Sequence, residues 1–172
     1  MTLVVAQVLG DGSVAVAADS RIEWGSHPGL EDNPRRRPQP LDSWGIPKLY
    51  PVSPTVMVGL AGNHAVEAVR LIGECRSAMR ETTDAMEVAA WLAQRAIDET
   101  EFLIAGTTPE PSIYTTNAGA VEGPVAYGSI GNRSAFSKYQ EMRSLVAESG
   151  TAELPLEVWG PMIQLVELGT SP

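Results

Sequence analysis

The sequence predicts an α+β fold: two layers of mostly antiparallel sheet with helices outside, rather than a doubly wound parallel sheet. Three observations predict it. Short apolar, β-rich runs cluster at the start of the chain and again after residue 100. Two helical periodicities lie consecutively between those clusters, and hairpin-type turns join several of the runs.

Residues 2–9 (TLVVAQVL) and 13–18 (SVAVAA) are two such runs, and Gly10-Asp11-Gly12 between them is a hairpin signal. From Trp24 to Pro47 the chain holds five of its 13 prolines without a sustained period, which predicts a long inserted Pro/Arg-rich loop. A second strand pair follows at 48–52 and 55–60, turning at Ser53-Pro54. Ala65, Ala68, Val69, Ile72, Cys75, Ala78 and Met79 then recur at helical spacing, with Asn63 placed as the cap and Cys75 in the core. Asp84 and Glu87 have capping-box spacing ahead of a second helix over 85–100, striped by Ala85, Val88, Ala89, Leu92 and Ala96. Strands are expected at 101–105, 112–116 and 124–128, with turns at Gly106–Pro111 and Asn117-Ala118-Gly119. A third helix over 134–148 turns Phe136, Tyr139, Met142, Leu145 and Val146 inward, and a last strand runs over 161–168.

A chain of 172 residues fits a single domain, 1–172, that buries most of its apolar surface without disulfides or a structural metal. With 44% hydrophobic and 19% charged residues and no membrane-length apolar run, it reads as soluble. The absence of a secretory signal pattern and the lone Cys75 lead us to expect a cytoplasmic location. A net charge of -9 argues against nucleic-acid binding, and Arg35-Arg36-Arg37 reads as a solvated loop flanked by Glu31 and Asp32. The two histidines and one cysteine have no zinc-site spacing, so no metal or cofactor is expected.

Several segments, in order, resemble the proteasome β-subunit family of N-terminal nucleophile hydrolases. They are Thr2 behind Met1, AVAADSR (15–21), KLYPV (48–52), VGLAGNHAVEAVRLI (58–72), EFLIAGTTPEPSIYTTNAGAV (101–121) and AYGSIGNRSAF (126–136). The resemblance spans most of the chain and implies a four-layer αββα sandwich. In length the chain is nearest the HslV-type bacterial peptidases of that family. It implies a homo-oligomeric ring, a peptide or amide substrate, and an ATPase unfoldase as partner if folded proteins are degraded.

It also implies roles. An N-terminal threonine carries its own base, because an α-amine of pKa about 7.7–8.0 takes the hydroxyl proton directly or through water. Thr2 is then the nucleophile once Met1 is removed. Lys48, one of two lysines, stabilises the alkoxide and keeps the amine unprotonated, and Asp19 orients that lysine. The backbone N–H of Gly62 is the oxyanion donor, and Ser129 supports the terminal amine. Tyr50, Leu60 and His64 line the substrate pocket. Each has a plainer reading: a strand-start threonine, a solvated edge lysine, a turn aspartate, a helix-entry glycine, a turn serine, core or helix-start residues.

The sequence departs from the family pattern in a longer hairpin between Thr2 and Asp19 and a longer segment between Asp19 and Lys48. It departs also in a C-terminal region that lacks the second helix and the Asp and Ser that contact the amine. Three functions follow: a threonine-type amidohydrolase, foremost a peptidase; a catalytically silent proteasome-like assembly subunit; or a small-molecule amide hydrolase or acyltransferase of the same superfamily.

Overall fold

The computed structural model describes residues 3–18 and 47–131, together with residues 137, 140, 141 and 144. The first two strands, β1 (Leu3–Val8) and β2 (Val14–Ala18), pair antiparallel without a bulge from Val8↔Val14 to Val4↔Ala18. Their turn closes with the Gly12 amide donating to the Leu9 carbonyl at 3.0 Å and the Leu9 amide to the Ser13 carbonyl at 2.9 Å. Gly12 takes φ +82, the left-handed residue that lets a turn of this length keep the twist of its strands. The Asp11 carboxylate accepts the Ser13 hydroxyl at 2.6 Å and the Ser13 amide at 2.9 Å, and those two bonds hold its pKa below the ordinary value. The turn closes on itself and leaves the ladder in register.

A larger sheet follows the chain in order: β3 (Leu49–Ser53), β4 (Val56–Gly62), β5 (Thr100–Gly106), β6 (Ser112–Asn117) and β7 (Ala120–Val125), all antiparallel neighbours. The strand expected at 124–128 is in fact two. The β6–β7 register shifts between Ile113 and Thr115, β7 ends at Val125, and β8 (Tyr127–Gly131) crosses to the other sheet to flank β1. Ala126 makes the crossing, its carbonyl accepting the Val8 amide at 2.8 Å. The smaller sheet thus has the order β2-β1-β8.

Between β4 and β5 the chain makes two helices, α1 (Ala65–Met79) and α2 (Ala85–Ala93). The helices bury Ala68, Leu71, Ile72 and Cys75 on α1, and Ala85, Val88, Ala89 and Leu92 on α2, against Val52, Val56, Val58, Leu60, Phe102 and Ile104; Leu71 adds to the expected stripe, while Ala78 and Ala96, expected in the stripes, are exposed. Three details differ from expectation. The N-cap of α1 is His64, without a side-chain cap bond, because Asn63 is committed elsewhere. Asp84 caps α2 through the Met86 amide at 2.8 Å, while the Glu87 carboxylate accepts the Thr82 hydroxyl. And α2 stops at Ala93, well short of residue 100, since Thr100 is already in the sheet opposite Gly62. Arg95 closes that helix by donating to the Trp91 carbonyl at 3.1 Å, with its guanidinium 3.8 Å from the Trp91 ring centroid.

The two sheets stack face to face. Val4 and Ala6 of β1 and Ile130 of β8 meet Ala61, Leu103, Ala105 and Ile113 of the larger sheet in a second core. Ser137, Gln140, Glu141 and Ser144 are helical and exposed, at the spacing of one helix face. The inward stripe of that helix, the loop up to residue 46 and the strand expected at 161–168 lie outside the described residues.

Two glycines should respond oppositely to alanine. A Cβ on Gly59 would sit 2.6 Å from Val4 Cγ1, so Gly59→Ala forces the sheets apart and costs about 1–3 kcal/mol in urea unfolding. Gly73, on the exposed face of α1, has nothing within 4 Å of such an atom, and Gly73→Ala stabilises by roughly 0.5–1 kcal/mol.

Candidate active site

Three of the five catalytic candidates, Lys48, Gly62 and Ser129, and all three pocket candidates fall within the described residues; Thr2 and Asp19 lie outside them. Lys48 enters β3 with its carbonyl accepting the Leu60 amide at 3.0 Å, which sets it opposite Leu60 at the end of the β3–β4 ladder. It is only 6% exposed. A lysine buried to that degree needs its charge met by a partner, unlike a solvated strand-edge lysine.

Tyr50 lies opposite Val58, and Tyr50 and Leu60 both pack in the core between the larger sheet and the helices. Leu60 is fully part of that core. The Tyr50 hydroxyl is buried and finds no hydrogen-bond partner among the described residues, and burial raises its pKa. His64 stands at the rim, exposed, with Nδ1 3.1 Å from a Glu67 carboxylate oxygen. Lys48, Tyr50, Leu60 and His64 thus gather where β3, β4 and the start of α1 meet.

Gly62 ends β4 at φ +143. A Cβ there would lie 2.3 Å from the Glu99 carbonyl oxygen and 2.7 Å from Thr100 Cα, so only glycine fits the position. The Asn63 amide donates to the Glu99 carbonyl at 3.2 Å and its side-chain amide donates to the Glu99 carboxylate at 2.6 Å. Glu99 takes φ +53, uncommon outside glycine.

Ser129 is in the smaller sheet, opposite Val5. Its neighbours Gly128 and Ile130 are buried toward the larger sheet, so alternation turns Ser129 to the other face, away from Lys48. What ties its strand to the β4–β5 end is Glu101, whose carboxylate accepts the Gly131 amide at 2.9 Å and the Asn117 side-chain amide at 3.5 Å. Gly131 in turn pairs with Leu3, and Val4 with Ala18. Leu3 and Ala18, the chain neighbours of Thr2 and Asp19, therefore stand at the same end of the stacked sheets as Lys48, Gly62 and Glu101.

Glu99, Glu101 and Asn63 have no place among the sequence candidates. For Glu101 a signal exists: it stands second in β5, just before the apolar run from Phe102 to Ala105, in phase with the inward-facing Leu103 and Ala105. For Glu99 and Asn63 none does, because their pairing across 36 residues depends on the whole helical excursion.

Cys75 is fully buried and burial pushes its thiol up to about 11, which makes it core rather than nucleophile. Among the described residues no group of three or more His, Cys, Asp or Glu is placed to hold a metal ion, and no helix is long and apolar enough to cross a membrane. The chain matches no protein-family model and no curated protein.

Because the buried Tyr50 hydroxyl has no partner among the described residues, Tyr50→Phe should leave stability unchanged or raise it by up to about 1 kcal/mol in chemical denaturation.

Proposed function

We propose that this protein is a threonine-type N-terminal nucleophile amidohydrolase of the proteasome β-subunit kind, a peptidase acting through an acyl-enzyme on Thr2. The observation that supports this reading best is the meeting, at one end of two stacked antiparallel sheets, of buried Lys48, glycine-restricted Gly62 and the ladder end formed by Leu3 and Ala18. That is where chain positions 2, 19, 48 and 62 have to converge for the chemistry to work.

With Met1 gone, the Thr2 hydroxyl adds to the substrate carbonyl while its proton passes to the Thr2 α-amine, directly or through water. The oxyanion takes the Gly62 N–H, and the Lys48 charge stabilises the alkoxide and disfavours protonation of the amine. Collapse expels the substrate amine, which takes up the proton, and leaves an ester on Thr2. Water activated by the same amine then hydrolyses the ester.

A fourth, helical layer over the smaller sheet belongs to this reading. It is supported by the burial of Leu3, Val5 and Gln7, which face away from the inter-sheet core, and by the exposed helical residues 137, 140, 141 and 144 that follow β8 in the chain. Assembly into a homo-oligomeric ring, cytoplasmic residence and supply of substrate by an ATPase are parts of the same proposal.

The test is intact mass followed by covalent labelling. Purified protein should lack Met1 and take up one β-lactone equivalent per chain; Thr2→Ala should take up none. Lys48→Met, which keeps the bulk of the buried side chain while removing its charge, should fold and label about 100-fold more slowly. Full retention of Met1, or a protein without Met1 that stays unlabelled, overturns the reading in favour of a silent assembly subunit.

A further inference from the structure

We propose that Glu99 is a positioning residue, a clasp that fixes the Gly62 peptide for its role as oxyanion donor; the inference rests on the amidohydrolase reading. Three observations carry it. Gly62 and Glu99 are in close contact, with room for no atom beyond hydrogen on the Gly62 α-carbon. The residue after Gly62 is tied twice to Glu99, Asn63 N–H to the Glu99 carbonyl at 3.2 Å and Asn63 Nδ2 to Glu99 Oε2 at 2.6 Å. And Glu99 holds the left-handed conformation at φ +53, where glycine, asparagine or aspartate would be accommodated with less strain.

The third observation separates positioning from stability. Asn63 and Glu99 are both exposed, so their side-chain bond competes with water and adds little to folding. A residue chosen for stability at this turn would be glycine. Glutamate instead keeps a strained backbone and supplies a carboxylate long enough to reach Asn63. Strain of this kind persists where the surrounding structure over-determines it, and it clusters at working sites. The clasp acts on geometry. An oxyanion donor works only when its N–H already points at the position the oxygen will occupy. Gly62, at the end of a strand and with the widest conformational freedom of any residue, needs restraint from a neighbour.

Three variants of the full chain, freed of Met1, test the clasp. Glu99→Gln keeps an oxygen for Asn63 Nδ2, while Glu99→Gly removes the clasp and relieves the strain. Asn63→Ala breaks the same bond from the other side. Expected are a thermal midpoint for Glu99→Gly at or above that of wild type, and faster deuterium uptake in the peptide containing residues 60–64. With a saturating peptide-amide substrate, kcat should fall about tenfold at nearly constant KM for both Glu99→Gly and Asn63→Ala. That is less than the ~100-fold expected for outright loss of an oxyanion donor. Glu99→Gln should stay within about twofold of wild type. Unchanged kcat and unchanged deuterium uptake in Glu99→Gly overturn the clasp. So does a loss of rate in Glu99→Gln equal to that in Glu99→Gly. Failure of the parent reading is separately visible: wild type that lacks Met1 yet takes up no β-lactone overturns both, whereas labelled wild type with insensitive variants overturns the clasp alone.

Discussion

The structure depends on the double burial of its central sheet. β4 and β5 read VMVGLAG and TEFLIAG, nearly continuous apolar runs, and both faces are buried: Val56, Val58, Leu60, Phe102 and Ile104 on one side, Ala61, Leu103 and Ala105 on the other. A sheet of that composition cannot leave either face in water, so it requires two covers. The helices α1 and α2 form one and the β2-β1-β8 sheet the other. The second cover sits close because Gly59 offers no side chain beneath Val4 and Gly128 none against Ile113. This approach also fixes the register of the two sheets relative to each other, and with it which strand ends share an edge.

That double burial explains which parts of the fold are legible from the sequence. Long apolar runs and amphipathic stripes are direct consequences of burial, so the α+β class, the opening hairpin and the existence of both helices can be read from patterns such as Ala68, Ile72 and Cys75. The transfer of the chain from β7 to β8 cannot. GPVAYGSIG is one apolar, glycine-bearing run, and nothing local announces that Val125 belongs to one sheet and Tyr127 to the other. The end of α2 fails for a similar reason. Ala96 continues its stripe, but pairing of Thr100 with Gly62 takes the chain first, a tertiary constraint that overrides local period.

The candidate site divides along the same line. Lys48 and Gly62 are singled out by the resemblance to the proteasome β-subunit family rather than by local pattern, and the structure gives each a demanding environment. Tyr50 and Leu60 come from the same resemblance, and their packing under α1 is what any core residue would show. Glu101 is the instructive omission. A carboxylate in the inward phase of a buried strand costs free energy unless its oxygens are used, and here they accept amides from β6 and from the end of β8.

The connections also argue for where function lies. At one end of the sandwich the chain reverses tightly: Gly10-Asp11-Gly12 between β1 and β2, Pro54-Thr55 between β3 and β4, the segment from Thr107 to Pro111 between β5 and β6, and Ala126 between β7 and β8. The Thr107 amide bonds across to the Thr55 carbonyl and the Val8 amide to the Ala126 carbonyl, so these turns are tied to one another. The long connections leave from the opposite end, where β2 finishes, β3 begins, and β4 departs into α1 and α2 before returning as β5. The two-residue Ala118-Gly119 turn between β6 and β7 shares this second end, but among the described elements the long excursions leave only from it, which makes it the end suited to building a site. Lys48, Gly62, Glu99 and Glu101 all stand at that end. Their convergence follows from strand direction alone: in an antiparallel stack each candidate is a strand start or a strand end of the matching sense. A single reversed strand would scatter them.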